Sequence, residues 1–246
     1  SAGMMNLRFR TPICVELYLV LSSLIVALLA LARAGVSAGM TDALKNAGHE
    51  GVIVAFGDSL SQGFILPEAE TYPAQLERRL RSEGYAYRVV NAGINGETSS
   101  GALSRVNWIL RLKPDIVILE TGANDSFRGI APEVVEANIS EIVRILNENR
   151  VTVVLAGMQM LSNLGPEYTA AFRDVYPNVA RRHGVILVPF FLEGVAGKPS
   201  LNLPDGIHPT AEGYGVVVKN VWPHVVEAIE SVRSAKVRIY GHPADP

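Results

Sequence analysis

Ser59 follows an apolar, β-branched run and the pair Gly57-Asp58, so its hydroxyl can be presented at a strand-to-helix turn beside amide groups that stabilise negative charge. A serine in such a turn is ordinarily a cap or turn former, and it becomes a nucleophile only where a base takes its proton. His208 is the candidate base. Asp205 lies three residues before it on a loop closed by Pro209, where a carboxylate can accept the imidazole Nδ1 proton and leave Nε2 facing Ser59. Read plainly, Asp205-Gly206 before His208-Pro209 is a turn, with Asp205 a cap for the last helix. Attack on an acyl carbon also needs donors where the carbonyl oxygen becomes an anion, and a glycine amide with an asparagine side chain supplies them. Gly96 and Asn124 are placed for that role, against the plainer roles of a positive-φ glycine and a turn-forming asparagine.

These residues need a scaffold that brings distant segments together. From residue 52 onward, short β-branched runs alternate with amphipathic stretches of helical period. The runs predict strands at 52–56, 88–91, 115–120, 151–156 and 185–188, each nearly all apolar, as strands covered on both faces are. Helices are expected at 72–83, 98–112, 132–149, 166–183 and 210–232, with Pro132 and Pro166 where a first helical turn accepts proline. The fold class is α/β: a three-layer α/β/α sandwich around a five-stranded parallel sheet of flavodoxin-like strand order. Ligands of such sheets bind outside the carboxyl ends of the strands. That rule selects the segments around Ser59, Gly96, Asn124 and His208, the same four that chemistry selected.

On these residues the chain resembles the SGNH, or GDSL, hydrolases, named for a Ser, Gly, Asn and His in four separate blocks. Gly57-Asp58-Ser59-Leu60-Ser61 is similar to the nucleophile block, and Asn91 to Thr98, with Gly96 inside it, to the glycine block. Gly122-Ala123-Asn124-Asp125 resembles the Gly-x-Asn-Asp block and Asp205-Gly206-Ile207-His208-Pro209 the Asp-x-x-His block. All four stand in order across about 52–230. The resemblance implies a triad of Ser59, His208 and Asp205, and an oxyanion hole of the Ser59 amide, the Gly96 amide and the Asn124 side chain. It implies a serine esterase acting on carboxylic esters or thioesters through an acyl-enzyme, with no metal or organic cofactor. Tyr72-Pro73 and Val188-Pro189-Phe190-Phe191 make it most similar to the bacterial periplasmic thioesterase, lysophospholipase or arylesterase type.

Composition narrows the partners. A net charge of −2 over 246 residues gives no field to gather nucleic acid, which needs clustered Lys and Arg. With 48% hydrophobic residues and no repeat or linker after residue 51, one sizeable core is expected. The N-terminus differs in kind: Arg8 and Arg10 precede an uncharged apolar run at 17–32, and Val36, Ser37 and Ala38 offer a small-residue cleavage site. That layout predicts a signal peptide and a periplasmic or secreted enzyme. A retained anchor giving membrane association through 17–32 is the competing reading, for a run shorter than the roughly 20 residues that span a bilayer core. The expected organisation is therefore 1–38 a short vector remnant plus signal peptide or anchor, 39–50 a linker, 51–233 the hydrolase domain, and 234–246 a loose tail. Cys14, the single cysteine, precedes the apolar run, so neither a disulfide nor a cysteine nucleophile is available after it.

The remaining candidates weigh less. His49, His183, His224 and His242 lack partners at ligand spacing, and no HExxH or paired Cys and His motif is present. Asp58 and Asp125 adjoin the candidates above, and holding their loops by hydrogen bonds is the expected role. The stretch 158–164, after the fourth strand, is more apolar than a solvated loop, so Met160, Leu161 and Leu164 are candidates to line an acyl groove, or else simply to close the core. Two other functions fit the scaffold: a carbohydrate esterase removing acetyl groups, and a non-catalytic, membrane-tethered binding protein. The last does not require Ser59, Asn124, Asp205 and His208 together, and no Gly-Lys-Ser/Thr phosphate loop supports it.

Overall fold

The computed structural model describes residues 48–160 and 164–240. The five parallel strands are β1 (Gly51–Gly57), β2 (Tyr87–Gly93), β3 (Ile116–Glu120), β4 (Thr152–Ala156) and β5 (Ile186–Val188), in the order β2-β1-β3-β4-β5. This is the flavodoxin-like order expected, and every strand lies within two residues of its predicted bounds. The helices are α1 (Ser59–Gln62), α2 (Tyr72–Ser82), α3 (Ser99–Arg111), α4 (Ala123–Phe127), α5 (Pro132–Glu148), α6 (Pro166–His183) and α7 (Ala211–Tyr240). The four-residue α1 and five-residue α4 were not predicted, because one helical turn carries no periodicity to read.

Burial follows the pleat and the layers. Ile53 to Phe56 of β1 and Ile116 to Leu119 of β3 are wholly buried, since helices cover both faces of these central strands. Each such Val, Ile, Leu or Phe gains about 1.5–3 kcal/mol over an exposed position. Helices α2 and α7 pack together on one face, while α3, α5 and α6 pack side by side on the other. The edge strand β2 is only half-buried along most of its length.

Register then sets the rim. Gly57 pairs with Gly93, Glu120 with Ala156, and Ala156 with Val188, so all five strands end level. The chain leaves β1 for β2 on one side and returns to β3 on the other, and that reversal opens a crevice between the ends of β1 and β3. The residues that follow β1, β2 and β3 are therefore neighbours at the crevice.

Residues 234–240 correct the expected loose tail. They continue α7 through Tyr240, because the run from Arg233 to Arg238 holds helix formers and no breaker before Gly241. Arg233 pairs with Glu50 at 2.6 Å and Lys236 with Asp115 at 2.8 Å, which fastens this extension across the foot of β1. Residues 241–246, the apolar run at 17–32 and the cleavage site near Ala38 lie outside the described residues. Among the described residues no helix is long and apolar enough to cross a membrane.

Candidate active site

The nucleophile block is built for close approach. A Cβ on Gly57 would stand 2.3 Å from Ser61 Oγ and 2.5 Å from the Glu120 carbonyl, so only glycine lets β1 pass into α1 here. Asp58 caps α1 by accepting from the Leu60 amide at 2.9 Å, which places Ser59 at the first position of the helix. On the far side of the crevice, Gly122 takes φ +107°, and a Cβ there would meet the Tyr176 hydroxyl at 2.4 Å. That turn starts α4 and sets Asn124 at the rim.

Ser59, His208 and Asp205 converge. Ser59 Oγ lies 2.9 Å from His208 Nε2, and His208 Nδ1 lies 2.7 Å from Asp205 Oδ2. Asp205 Oδ1 accepts from the Ile207 and His208 amides, so the carboxylate is fixed by the turn that carries the histidine. Burial pushes its carboxyl upward, but the bonds from the His208 amide and ring and the Ile207 amide win and hold it below the ordinary value. Asp205 is thus kept ionised beside the ring. Its side chain is nonetheless 34% exposed, against 13% for His208.

Asn124 is held from two sides. Its Nδ2 donates to Asp58 Oδ2 at 2.9 Å and to the Glu97 carbonyl at 3.0 Å, one residue past Gly96. Gly96 takes φ +74°, and its carbonyl accepts from Arg128 at 2.9 Å. Asp125 does what a loop-holding aspartate should: its two oxygens accept from the Ser99 hydroxyl at 2.6 Å and the Ser99 amide at 2.8 Å, tying α4 to the start of α3.

Two residues were missed from the sequence and carry this half of the site. Arg105, on α3, makes a two-pronged ion pair with Glu97 at 2.6 Å and donates to the carbonyls of Gly57 and Ala92 at 3.2 and 2.8 Å. One guanidinium thereby ties the ends of β1 and β2 to the loop that positions Asn124. Glu120, at the end of β3, is fully buried and accepts from Ser61 Oγ at 2.9 Å and the Asp58 amide at 3.2 Å. Burial first, and the Asp58 charge second, push its carboxyl well above the ordinary range. Burial likewise raises Asp58 to about 6, against the opposing bonds from Leu60, Glu120 and Asn124. The pair therefore favours a protonated Glu120 beneath an ionised Asp58 at neutral pH. Arg105 has no spacing signal, since Glu97 lies eight residues before it, outside the helix, and its other partners are backbone carbonyls. Glu120 ends an otherwise apolar strand, and a charge in that position was the available clue.

A cavity of about 440 Å³ opens beside Ser59 and His208, and its wall is mostly apolar. Met160 lines it together with Met158, Phe190, Leu192 and Ala196. Leu164 does not: it is 41% exposed and stands outside that wall, next to the Gly165 turn that begins α6. Leu161 lies outside the described residues. Phe127 and Ile207 form the exposed lip. The loop after β5, with Phe190 and Leu192, adds wall beside Met158 and Met160 of the stretch 158–164. Elsewhere, His183 pairs Nε2 with Ser140 Oγ at 2.6 Å on the outer helices, remote from the crevice in the fold's layers. Among the described residues no three His, Cys, Asp or Glu side chains gather around a common point for a metal ion.

The geometry has counterparts in known proteins. Esterase TesA of Pseudomonas aeruginosa is 41% identical over 172 residues, covering 70% of this chain and 86% of that protein. Thioesterase 1/protease 1/lysophospholipase L1 of Escherichia coli is 34% identical over 161 residues, covering 65% and 76%. The crystal structure of TesA superposes with a TM-score of 0.69 at 40% identity, over 72% of this chain and 99% of that one. Residues 55–216, a span that holds all four blocks, match the GDSL-like lipase/acylhydrolase family, and the chain belongs to it.

Proposed function

We propose that this serine esterase hydrolyses carboxylic esters and thioesters of apolar acyl groups, with Ser59 as nucleophile, His208 as base and Asp205 as the group that orients the base. The observation that carries it is the continuous chain from Ser59 Oγ to His208 Nε2 at 2.9 Å and from His208 Nδ1 to Asp205 at 2.7 Å. His208 takes the Ser59 proton as Oγ attacks the acyl carbon, and Asp205 stabilises the imidazolium that results. The oxyanion is received by the Ser59 and Gly96 amides and by Asn124 Nδ2. Both Asn124 protons already have acceptors in the free protein, so the third donor shares its bond on substrate arrival, as catalytic bonds commonly tighten only in the complex. His208 then returns the proton to the leaving alcohol or thiol, and water repeats the sequence on the acyl-enzyme.

The apolar wall of Met158, Met160, Phe190 and Leu192 supports acyl chains longer than acetyl. The matching relatives in Pseudomonas aeruginosa and Escherichia coli support the same esterase and thioesterase chemistry. The N-terminal layout, Arg8 and Arg10 before an apolar run and Val36-Ser37-Ala38, supports export by a signal peptide. A mature N-terminus at Gly39 by mass spectrometry is the expected result.

The test is a nitrophenyl ester series from acetate to palmitate on wild type and Ser59→Ala. The alanine variant should lose nearly all activity, and wild type should favour a chain longer than acetate. Equal rates in the two proteins would remove Ser59 as nucleophile, and an optimum at acetate would turn the reading toward an acetyl esterase.

A further inference from the structure

The Asp205–His208 turn is a separate piece of the molecule. The Leu203 amide donates to the His208 carbonyl, the Gly206 amide to Leu203, and the Ile207 and His208 amides to Asp205. Asn202 bridges to Pro209 and reaches back to Val195 and Lys198. These bonds hold the turn to itself and to its immediate chain neighbours. They do not set the distance between His208 and Ser59, which sits on a different element.

Besides the Ser59–His208 hydrogen bond itself, a ring contact joins the two. The Phe64 ring lies against the His208 imidazole with centroids 4.1 Å apart and an interplanar angle of 8°. Phe64 follows α1, the helix that begins at Ser59, and adopts φ +49° immediately after Gly63 at φ +96°. The other described residues besides glycine with positive φ, Lys113 and Arg150, close helices α3 and α5, where a left-handed residue is ordinary. A bulky aromatic side chain in that region is an outlier that persists only where its surroundings over-determine it. The stack covers one face of the imidazole, leaves both ring nitrogens free at the edge, and presents a π face to the imidazolium formed during attack.

We propose that Phe64 is a positioning residue: its ring, aimed by the left-handed backbone after α1, fixes the His208 imidazole relative to Ser59 and stabilises its protonated form. The inference rests on Ser59 and His208 acting as nucleophile and base. The strained backbone and the parallel stack then have one purpose, because the segment that carries the nucleophile also carries the surface on which the base is seated.

Phe64→Asn separates the two features, since asparagine tolerates the left-handed region while removing the ring. On full-length protein, two readings are taken: kcat and KM on nitrophenyl butyrate, and the rate at which a nitrophenyl alkylphosphonate labels Ser59. F64N should lower kcat and the labelling rate by about tenfold or more, with KM within about twofold, as expected for a displaced base. Phe64→Tyr, which keeps the stack, should restore most of the lost rate, and its comparison with Phe64→Leu decides the matter if F64N folds poorly. A kcat for F64N within about twofold of wild type overturns the proposal, as does a rise in KM alone or a tyrosine variant as slow as the leucine one. S59A run alongside distinguishes the failures: phosphonate labelling of S59A at the wild-type rate sinks the triad itself, whereas an inert S59A with an unimpaired F64N sinks only the stack.

Discussion

The two sides of the crevice are made differently. The side that carries Ser59, Gly96 and Asn124 is an extension of the core: Asp58, Ser59, Glu120 and Asp125 are buried, and Arg105 and Asp58 bind three strand ends together. The side that carries His208 is a surface turn whose aspartate is one-third exposed and whose hydrogen bonds are local. On the proposed reading, the groups that receive the oxyanion stand on segments fixed by the sheet, whereas the base sits on a turn joined to them through its own ring. Preorganisation of the oxyanion side is where rigid placement matters most, because those donors must stand ready before charge develops.

If that division is right, damage to the exposed turn should cost rate without stability. Asp205→Asn is expected to lower kcat by about 10³–10⁴-fold, since the imidazole loses its orienting charge, with the melting temperature close to wild type. A large drop in melting temperature would show that the turn is tied into the core after all. Damage to the buried side should do both. Arg105→Met leaves the Glu97 carboxylate, only 7% exposed, without its partner, and is expected to cost about 3–5 kcal/mol of stability. For a domain of this size that is a fall of roughly 10 °C in thermal unfolding, accompanied by loss of kcat as the Glu97 carbonyl releases Asn124. An R105M protein as stable as wild type would break the comparison.

The smallest effect concerns Glu120. Its carboxyl is raised in the folded state, so its contribution to stability is fully present below the ordinary value of 4.5 and is lost as pH climbs through the raised one. Glu120→Gln keeps an oxygen to accept from Ser61 and the Asp58 amide but cannot ionise. Urea unfolding from pH 5 to 9 should therefore show wild type weakening toward alkaline pH more than E120Q does, and parallel curves would remove the buried charge as the cause.

Strand and helix positions were legible because they follow from local periodicity: β-branched apolar runs of 3–7 residues and amphipathic stretches between them repeat in a pattern that only a layered α/β fold satisfies. The four blocks were legible for a related reason, since Ser59, Gly96 and Asn124 stand just past strand ends and the Asp205–His208 turn lies on the loop between β5 and α7. Asp205 and His208 are three residues apart, and a turn of that length brings them together without help from the rest of the chain. The end of α7 was misjudged because Gly241 and Pro243 suggested an earlier stop than the helix formers before them impose.

What the chain alone did not disclose is the set of contacts between residues far apart in sequence. Nothing near Arg105 announces that it will clamp Gly57 and Ala92, and nothing near Phe64 announces that its ring will lie on a histidine at the other end of the protein. Met158 and Met160 line the cavity while Leu164 stands exposed outside it. Residue type and spacing determine which groups are capable of acyl transfer and which segments are strands. Only the assembled fold, through register and layer packing, decides which distant side chains meet, because those distances depend on every element between them.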